Sequence, residues 1–119
     1  SIIIRKAISY VQAHYQDNLT AEQVAQHVHL NHSYFSTLFK KETGLTFSRY
    51  LLQYRIATGK LLLCNSHLSM RQVAQSVGLN SQSYFTKVFK KETGLTQSAY
   101  RKKIAPANQA GLAPRVRII

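Results

Sequence analysis

The chain has 119 residues, 45% of them apolar, and a single cysteine, which suits one compact unit or two very small ones and excludes an internal disulfide framework. Sixteen Lys and Arg against four Asp and Glu give a formal charge of +12, and this excess favours a polyanionic partner, either nucleic acid or an anionic membrane surface. No apolar run approaches the ~20 residues of a membrane span, the opening Ser1-Ile2-Ile3-Ile4-Arg5-Lys6 is too short in apolar residues for a signal peptide, and the missing initiator Met points to a fragment of a longer protein or a small protein with an altered start.

In chain order, residues 2–16 place Ile4, Ile8, Val11 and Tyr15 at helical spacing. A short helix over 20–28 follows, with Thr20 as N-cap, Gln23 as its capping-box partner, and Val24, Ala25 and Val28 facing inward. The turn His29-Leu30-Asn31 plugs the core with Leu30. A second helix runs from about Asn31 to before Gly44, a suitable C-terminal cap. Its core stripe is Phe35, Leu38 and Phe39, and its outer face carries Ser33, Ser36, Thr37 and Lys40. A long helix begins near Thr46 and ends near Asn65, through Phe47, Tyr50, Leu51, Tyr54, Leu62 and Leu63. It is apolar on more than one side, so the segments before and after it are both expected to pack on it.

The pattern then restarts. A helix over 69–77 has Ser69 and Gln72 as capping box, with Val73, Ala74 and Val77 inward. In the turn Gly78-Leu79-Asn80, Gly78 supplies a permissive backbone where the first copy has His29, so the first turn is expected to be the less ideal one. The next helix starts near Asn80 and stops before Gly94, with Phe85, Val88 and Phe89 inward and Ser83, Thr86, Lys87 and Lys90 outward. A last helix covers about 96–104, and periodicity is lost from Ala105 to Ile119, where Pro106, Gly111 and Pro114 suggest a flexible tail.

The restart is an internal duplication. L-T-A-E-Q-V-A-Q-H-V-H-L-N (19–31) returns as L-S-M-R-Q-V-A-Q-S-V-G-L-N (68–80), at an offset of 49. After the asparagine the second copy gains a residue, and Y-F-S-T-L-F-K-K-E-T-G-L-T (34–46) returns as Y-F-T-K-V-F-K-K-E-T-G-L-T (84–96); Ser48 and Tyr50 recur as Ser98 and Tyr100. Each copy reads as helix, short turn, helix, a helix-turn-helix unit. Small polar residues on the outer face of the second helix let a backbone approach a DNA groove, while hydroxyls and amines reach base edges and phosphates. A linking helix of ~18 residues would be ~27 Å long, close to the ~34 Å between successive major-groove faces.

These stretches, together with Arg55-Ile56 and Leu62-Leu63 of the long helix, resemble the DNA-binding domain of AraC/XylS-type transcription regulators over about residues 3–104. The resemblance implies an all-α fold of seven helices: a helix-turn-helix subdomain over 1–45, a linker helix over 46–66, a second subdomain over 67–104 and a flexible tail over 105–119. It implies a sequence-specific regulator that inserts two recognition helices into adjacent major-groove segments of a promoter. Carried over by position, the base-reading set is His32, Ser33, Ser36 and Thr37 in copy one, and Gln82, Ser83, Thr86 and Lys87 in copy two. The phosphate-contacting set is Asn31, Lys40, Lys41, Asn80, Lys90 and Lys91. Gln82 is the best single reader, since its amide pairs bidentately with adenine, whereas Lys87 suits either guanine or a phosphate. Most relatives carry a sensor or dimerisation domain besides this part, which by itself is expected to be monomeric. The chain departs from the family pattern at Phe47, at Gln97, at Leu61 and at Gly59, where a helix-favouring Ala is usual; the glycine costs up to ~1 kcal/mol.

Several residues carry a plainer reading. Phe35, Phe39, Phe85 and Phe89 are core rather than base-stacking platforms, Glu42 and Glu92 serve local charge balance, and Cys64 is a small apolar filler. Packing is the expected role of Tyr34 and Tyr84, with a phenol on a phosphate as the alternative. His27, His29 and His32 crowd one turn, but no Cys or carboxylate completes a tetrahedral set, so no metal is expected. No catalytic triad, glycine-rich phosphate loop or carboxylate pair is present, and neither enzymatic activity nor a cofactor is expected. Competing functions are a nucleoid or RNA-binding protein of little sequence preference, and a membrane-surface or protein-interaction module. The first lacks minor-groove wedges and stacking aromatics, and the second lacks an unburied continuous apolar face. Double-stranded promoter DNA is therefore the expected partner, RNA polymerase a candidate second one for an activator, and a cytoplasmic, nucleoid-associated location the one that fits.

Overall fold

The computed structural model describes residues 1–65, 67–79, 81–95 and 99–100. Among them are six helices and no strand: α1 (Ile2–His14), α2 (Ala21–His27), α3 (His32–Thr43), α4 (Phe47–Asn65), α5 (Met70–Ser76) and α6 (Gln82–Thr93). The seventh helix expected over 96–104 lies outside the described residues apart from Ala99 and Tyr100, as does the whole of 105–119. No described helix is long and apolar enough to cross a membrane. The chain divides into two compact units, with the boundary between Gln53 and Tyr54, inside α4.

Unit 1 forms around aromatic side chains whose spacing is set by the sequence. Phe35 and Phe39, one turn apart on α3, are fully buried. Phe47 and Tyr50 of α4 close on them, with Tyr50 meeting Phe39 edge to face at 5.3 Å and 90°. Ile4, Ala7 and Val11 of α1 and Val24 and Ala25 of α2 complete the cluster. Burying each Phe contributes roughly 2–3 kcal/mol, so this cluster dominates the stability of the unit.

The ends of the helices are held by side chains. At α2 the Thr20 hydroxyl accepts from Gln23 N–H at 3.2 Å, while the Gln23 carboxamide oxygen accepts from Thr20 N–H at 3.0 Å. Two orphan donors are thereby satisfied reciprocally. The turn after α2 closes through Leu30 N–H onto the Ala25 carbonyl at 2.9 Å and His29 N–H onto Gln26 at 3.1 Å. Such a closure needs a left-handed residue in its middle, and His29 takes that conformation at φ 62°. The turn is thus the less ideal one expected.

Unit 2 repeats the scheme. Ser69 and Gln72 form the capping box of α5, at 3.1 and 2.8 Å. Leu79 N–H reaches the Ala74 carbonyl at 2.9 Å, and the left-handed residue is Gly78, at φ 85°. Phe85, Val88 and Phe89 of α6 are buried with Val73, Ala74, Val77, Leu79 and Leu63. Tyr100 meets Phe89 at 5.3 Å and 85°, as Tyr50 meets Phe39 in unit 1.

Gly59 has a reason beyond helix propensity. A Cβ built there would stand 2.9 Å from Cζ of Phe85, closer than side-chain contacts allow. The missing methyl is the space into which the Phe85 ring packs.

Candidate nucleic-acid interface

Helices α3 and α6 both begin on a capping side chain and end on a left-handed glycine. Asn31 Oδ1 accepts from Tyr34 N–H at 2.8 Å at the start of α3, and Ser81 Oγ accepts from Tyr84 N–H at 3.2 Å at the start of α6. Gly44 and Gly94 terminate them, at φ 79° and 76°. These caps correct the pairing of the two copies. The counterpart of Asn31 is Ser81, and α6 begins at Gln82 rather than at Asn80, which lies outside the described residues. The extra residue of copy two therefore precedes the cap. Because Asn31 Oδ1 is engaged in capping, only its NH2 donors remain for a phosphate.

The outer face of α3 follows from the burial of Phe35 and Phe39. Thr37 lies roughly 200° round the helix from each, and it is exposed, as are His32, Ser33, Lys40 and Lys41; Ser36 is half-buried. On α6, Gln82, Ser83, Lys87, Lys90 and Lys91 are exposed and Thr86 is half-buried. None of the eight residues expected to read bases is buried. Glu42 and Glu92, by contrast, are half-buried, off the exposed lysine face.

An open cleft of about 600 Å3 runs along α3. It gathers His32, Ser36, Thr37, Lys40 and Lys41, and its other wall is Ala21 of α2 with Thr46, Phe47 and Ser48 at the start of α4. The lining supplies hydroxyls and two ammonium groups and contains no carboxylate, so its chemistry suits an anion such as a backbone phosphate. Ser33 and Asn31 do not line it.

Three features escaped sequence reasoning. Thr46 and Ser48 were not candidates, although Ser48 recurs in the repeat. Thr43, fully buried, donates from Oγ1 to the Phe39 carbonyl at 2.8 Å and accepts from Leu45 N–H at 3.2 Å; Thr93 does the same with Phe89 and Leu95, at 2.8 and 3.1 Å. The signal was the repeated E-T-G-L, in which a hydroxyl precedes the capping glycine. Finally, Tyr34 and Tyr84 do not pack: they are 55% and 48% exposed. Each sits in the first turn of its helix, away from the stripe that Phe35 or Phe85 begins.

Comparison with known proteins fits this geometry. A family model described as a helix-turn-helix domain matches residues 24–103, from within α2 to beyond α6. The C-terminal domain of AraT, a response regulator from Geobacillus stearothermophilus, shares 34% identity over 87% of this chain and 86% of that one, with a TM-score of 0.82. The chain belongs to the AraC family of helix-turn-helix transcription regulators. Within that family, the regulatory protein PocR of Salmonella typhimurium is 41% identical over 77 residues, 65% of this chain and 25% of PocR. The AraC-type chain therefore spans about a quarter of that relative. A transcriptional regulator from Chromobacterium violaceum, described as AraC-type, shares the fold at a TM-score of 0.83 and 24% identity, over 92% of this chain and 96% of that one. Family and fold are those of DNA-binding transcription regulators rather than of enzymes.

Proposed function

We propose that this chain binds a specific promoter sequence as double-stranded DNA and regulates transcription, with α3 and α6 each lying in a major-groove segment. The observation that carries the reading is one helix presented twice, with its aromatic stripe buried, its polar face exposed and a lysine pair in its last turn. His32, Ser33, Ser36 and Thr37 are the base-facing residues of α3, and Gln82, Ser83, Thr86 and Lys87 those of α6. Asn31, Lys40, Lys41, Lys90 and Lys91 hold phosphates, helped by Thr46 and Ser48 across the cleft, and Asn80 belongs to this set by its place in the sequence.

Duplexes selected from a random pool test the proposal. A selected duplex should survive an excess of random competitor. One or two engaged lysines per recognition helix predict a log–log salt slope of about −2 to −4. Equal loss to any competitor would reduce the protein to a non-specific binder. Footprinting on the selected site should show two protected groove segments; a single one means that only one copy reads DNA there.

Activation, with RNA polymerase as second partner, is the finer part of the proposal, as are a sensor or dimerisation domain in the whole protein and a cytoplasmic, nucleoid-associated location. In vitro transcription from a promoter carrying the selected site separates activation from repression.

A further inference from the structure

Among the described residues, three large apolar side chains are left exposed: Ile2, Tyr34 and Tyr84. The two tyrosines occupy the same place, the third residue of α3 and of α6. Neither phenol has a hydrogen-bond partner among the described residues. Each backbone is pinned, because the capping side chain of Asn31 or Ser81 holds the tyrosine's own N–H. A bulky ring whose solvent-exposed hydroxyl takes no partner among the described residues is thus displayed twice, at a fixed position, on each of the helices proposed to enter the groove.

The groove supplies the partner. A major groove is about 12 Å wide and a helix with side chains about 10–12 Å across, so a seated helix has a strand backbone against each flank. On α3, one flank opens into the cleft where Lys40 faces Thr46 and Ser48. Tyr34 does not line that cleft; by helical position it lies about 160° round the helix from Ser36, on the side it shares with Lys41. A phenol donates to a phosphate oxygen without contributing charge. We propose that Tyr34 and Tyr84 are backbone-positioning residues, each donating its phenolic hydrogen to a phosphate of the bound duplex and so setting how its helix is rotated in the groove. This rests on the duplex-binding reading above.

Fluorescence anisotropy of wild type, Tyr34→Phe, Tyr84→Phe and Tyr34→Ala, on a selected and a random duplex at several salt concentrations, tests it. Each Phe variant should bind both duplexes roughly three- to tenfold more weakly, with an unchanged salt slope, and Tyr34→Ala should lose no less than Tyr34→Phe. Full affinity in the Phe variants overturns the proposal, whether or not Tyr34→Ala is impaired, since the hydroxyl then makes no contact. A loss confined to the selected duplex overturns it too, because that would be base reading. A slope reduced by about one would mark a lost charge contact instead. Failure of the wild type to prefer the selected duplex would refute the duplex-specific reading itself, a result separate from all of these. Because both side chains are exposed, thermal melting of the variants should match wild type.

Discussion

A methyl group added at Gly59 would stand 2.9 Å from the tip of the Phe85 ring and 3.3 Å from its Cε1. Phe85 is fully buried in unit 2 and immediately precedes Thr86 and Lys87 on the proposed reading face. The glycine in α4 and the ring in α6 are thus one packing unit, and the identity of residue 59 sets where α6 rests against α4.

Gly59→Ala should therefore destabilise the protein. Helix propensity alone favours Ala by up to ~1 kcal/mol, but overpacking a closed core costs about 1–3 kcal/mol, so a net loss of up to ~2 kcal/mol is expected in urea unfolding. Phe85→Leu, which removes the ring that meets residue 59, should cost less in the Gly59→Ala background than in wild type, with a coupling of about 1 kcal/mol. A higher melting temperature for Gly59→Ala would show that the ring moves aside freely.

The two left-handed turns offer an internal comparison. His29 and Gly78 close the same hydrogen-bonded turn, at φ 62° and 85°. A side chain held in that region costs on the order of 1–2 kcal/mol, and glycine gives part of that back through its greater freedom when unfolded. His29→Gly should stabilise the protein by about 0.5 kcal/mol, read as a higher urea midpoint at unchanged slope, whereas Gly78→His should lower the midpoint. A destabilised His29→Gly would mean that the imidazole contributes more than its backbone conformation costs.

Much of this architecture was legible because it rests on local chemistry. Thr20 with Gln23, Ser69 with Gln72, and Gly44 and Gly94 announce helix ends through hydrogen bonds that span three or four residues. The Phe35–Phe39 and Phe85–Phe89 stripes follow from helical period. What stayed hidden needed three-dimensional neighbours. The matching asparagines 31 and 80 suggested equivalence, but the cap goes to the residue three before a free N–H, which is Ser81 in copy two. Gly59 read as a lapse of helix propensity because the ring that fills its space lies 26 positions further along the chain. Packing was the expected role of Tyr34 and Tyr84, yet adjacent helix positions point about 100° apart, and Phe35 and Phe85 take the inward direction. The outer face could be listed residue by residue, but the cleft beside it could not, because its second wall comes from α4.

Gln82 and Lys40 should separate specificity from adhesion. Both are exposed, on α6 and α3 respectively. Gln82→Ala should cost roughly 1–3 kcal/mol on the selected duplex and relax preference at one base position. Lys40→Ala, removing an ammonium from the cleft, should weaken all duplexes alike and lower the salt slope by about one. Competition titrations with single-position duplex variants give both readouts; identical behaviour of the two variants would refute the division of roles.

Thr43 tests whether the end of α3 supports the cleft. Its hydroxyl joins the Phe39 carbonyl in α3 to Leu45 N–H, one residue before Thr46. Thr43→Val keeps the shape but leaves the Leu45 donor unmatched, at a cost of about 1–3 kcal/mol. Thr43→Ser keeps the hydroxyl and loses a buried methyl, about 0.8 kcal/mol. If the hydroxyl also fixes the path from Gly44 to Ser48, Thr43→Val should bind all duplexes more weakly than Thr43→Ser at temperatures where both are folded. Equal affinities, with stability differing as stated, would confine Thr43 to the core, and the cleft wall would then be held by the packing of Phe47 and Tyr50 alone.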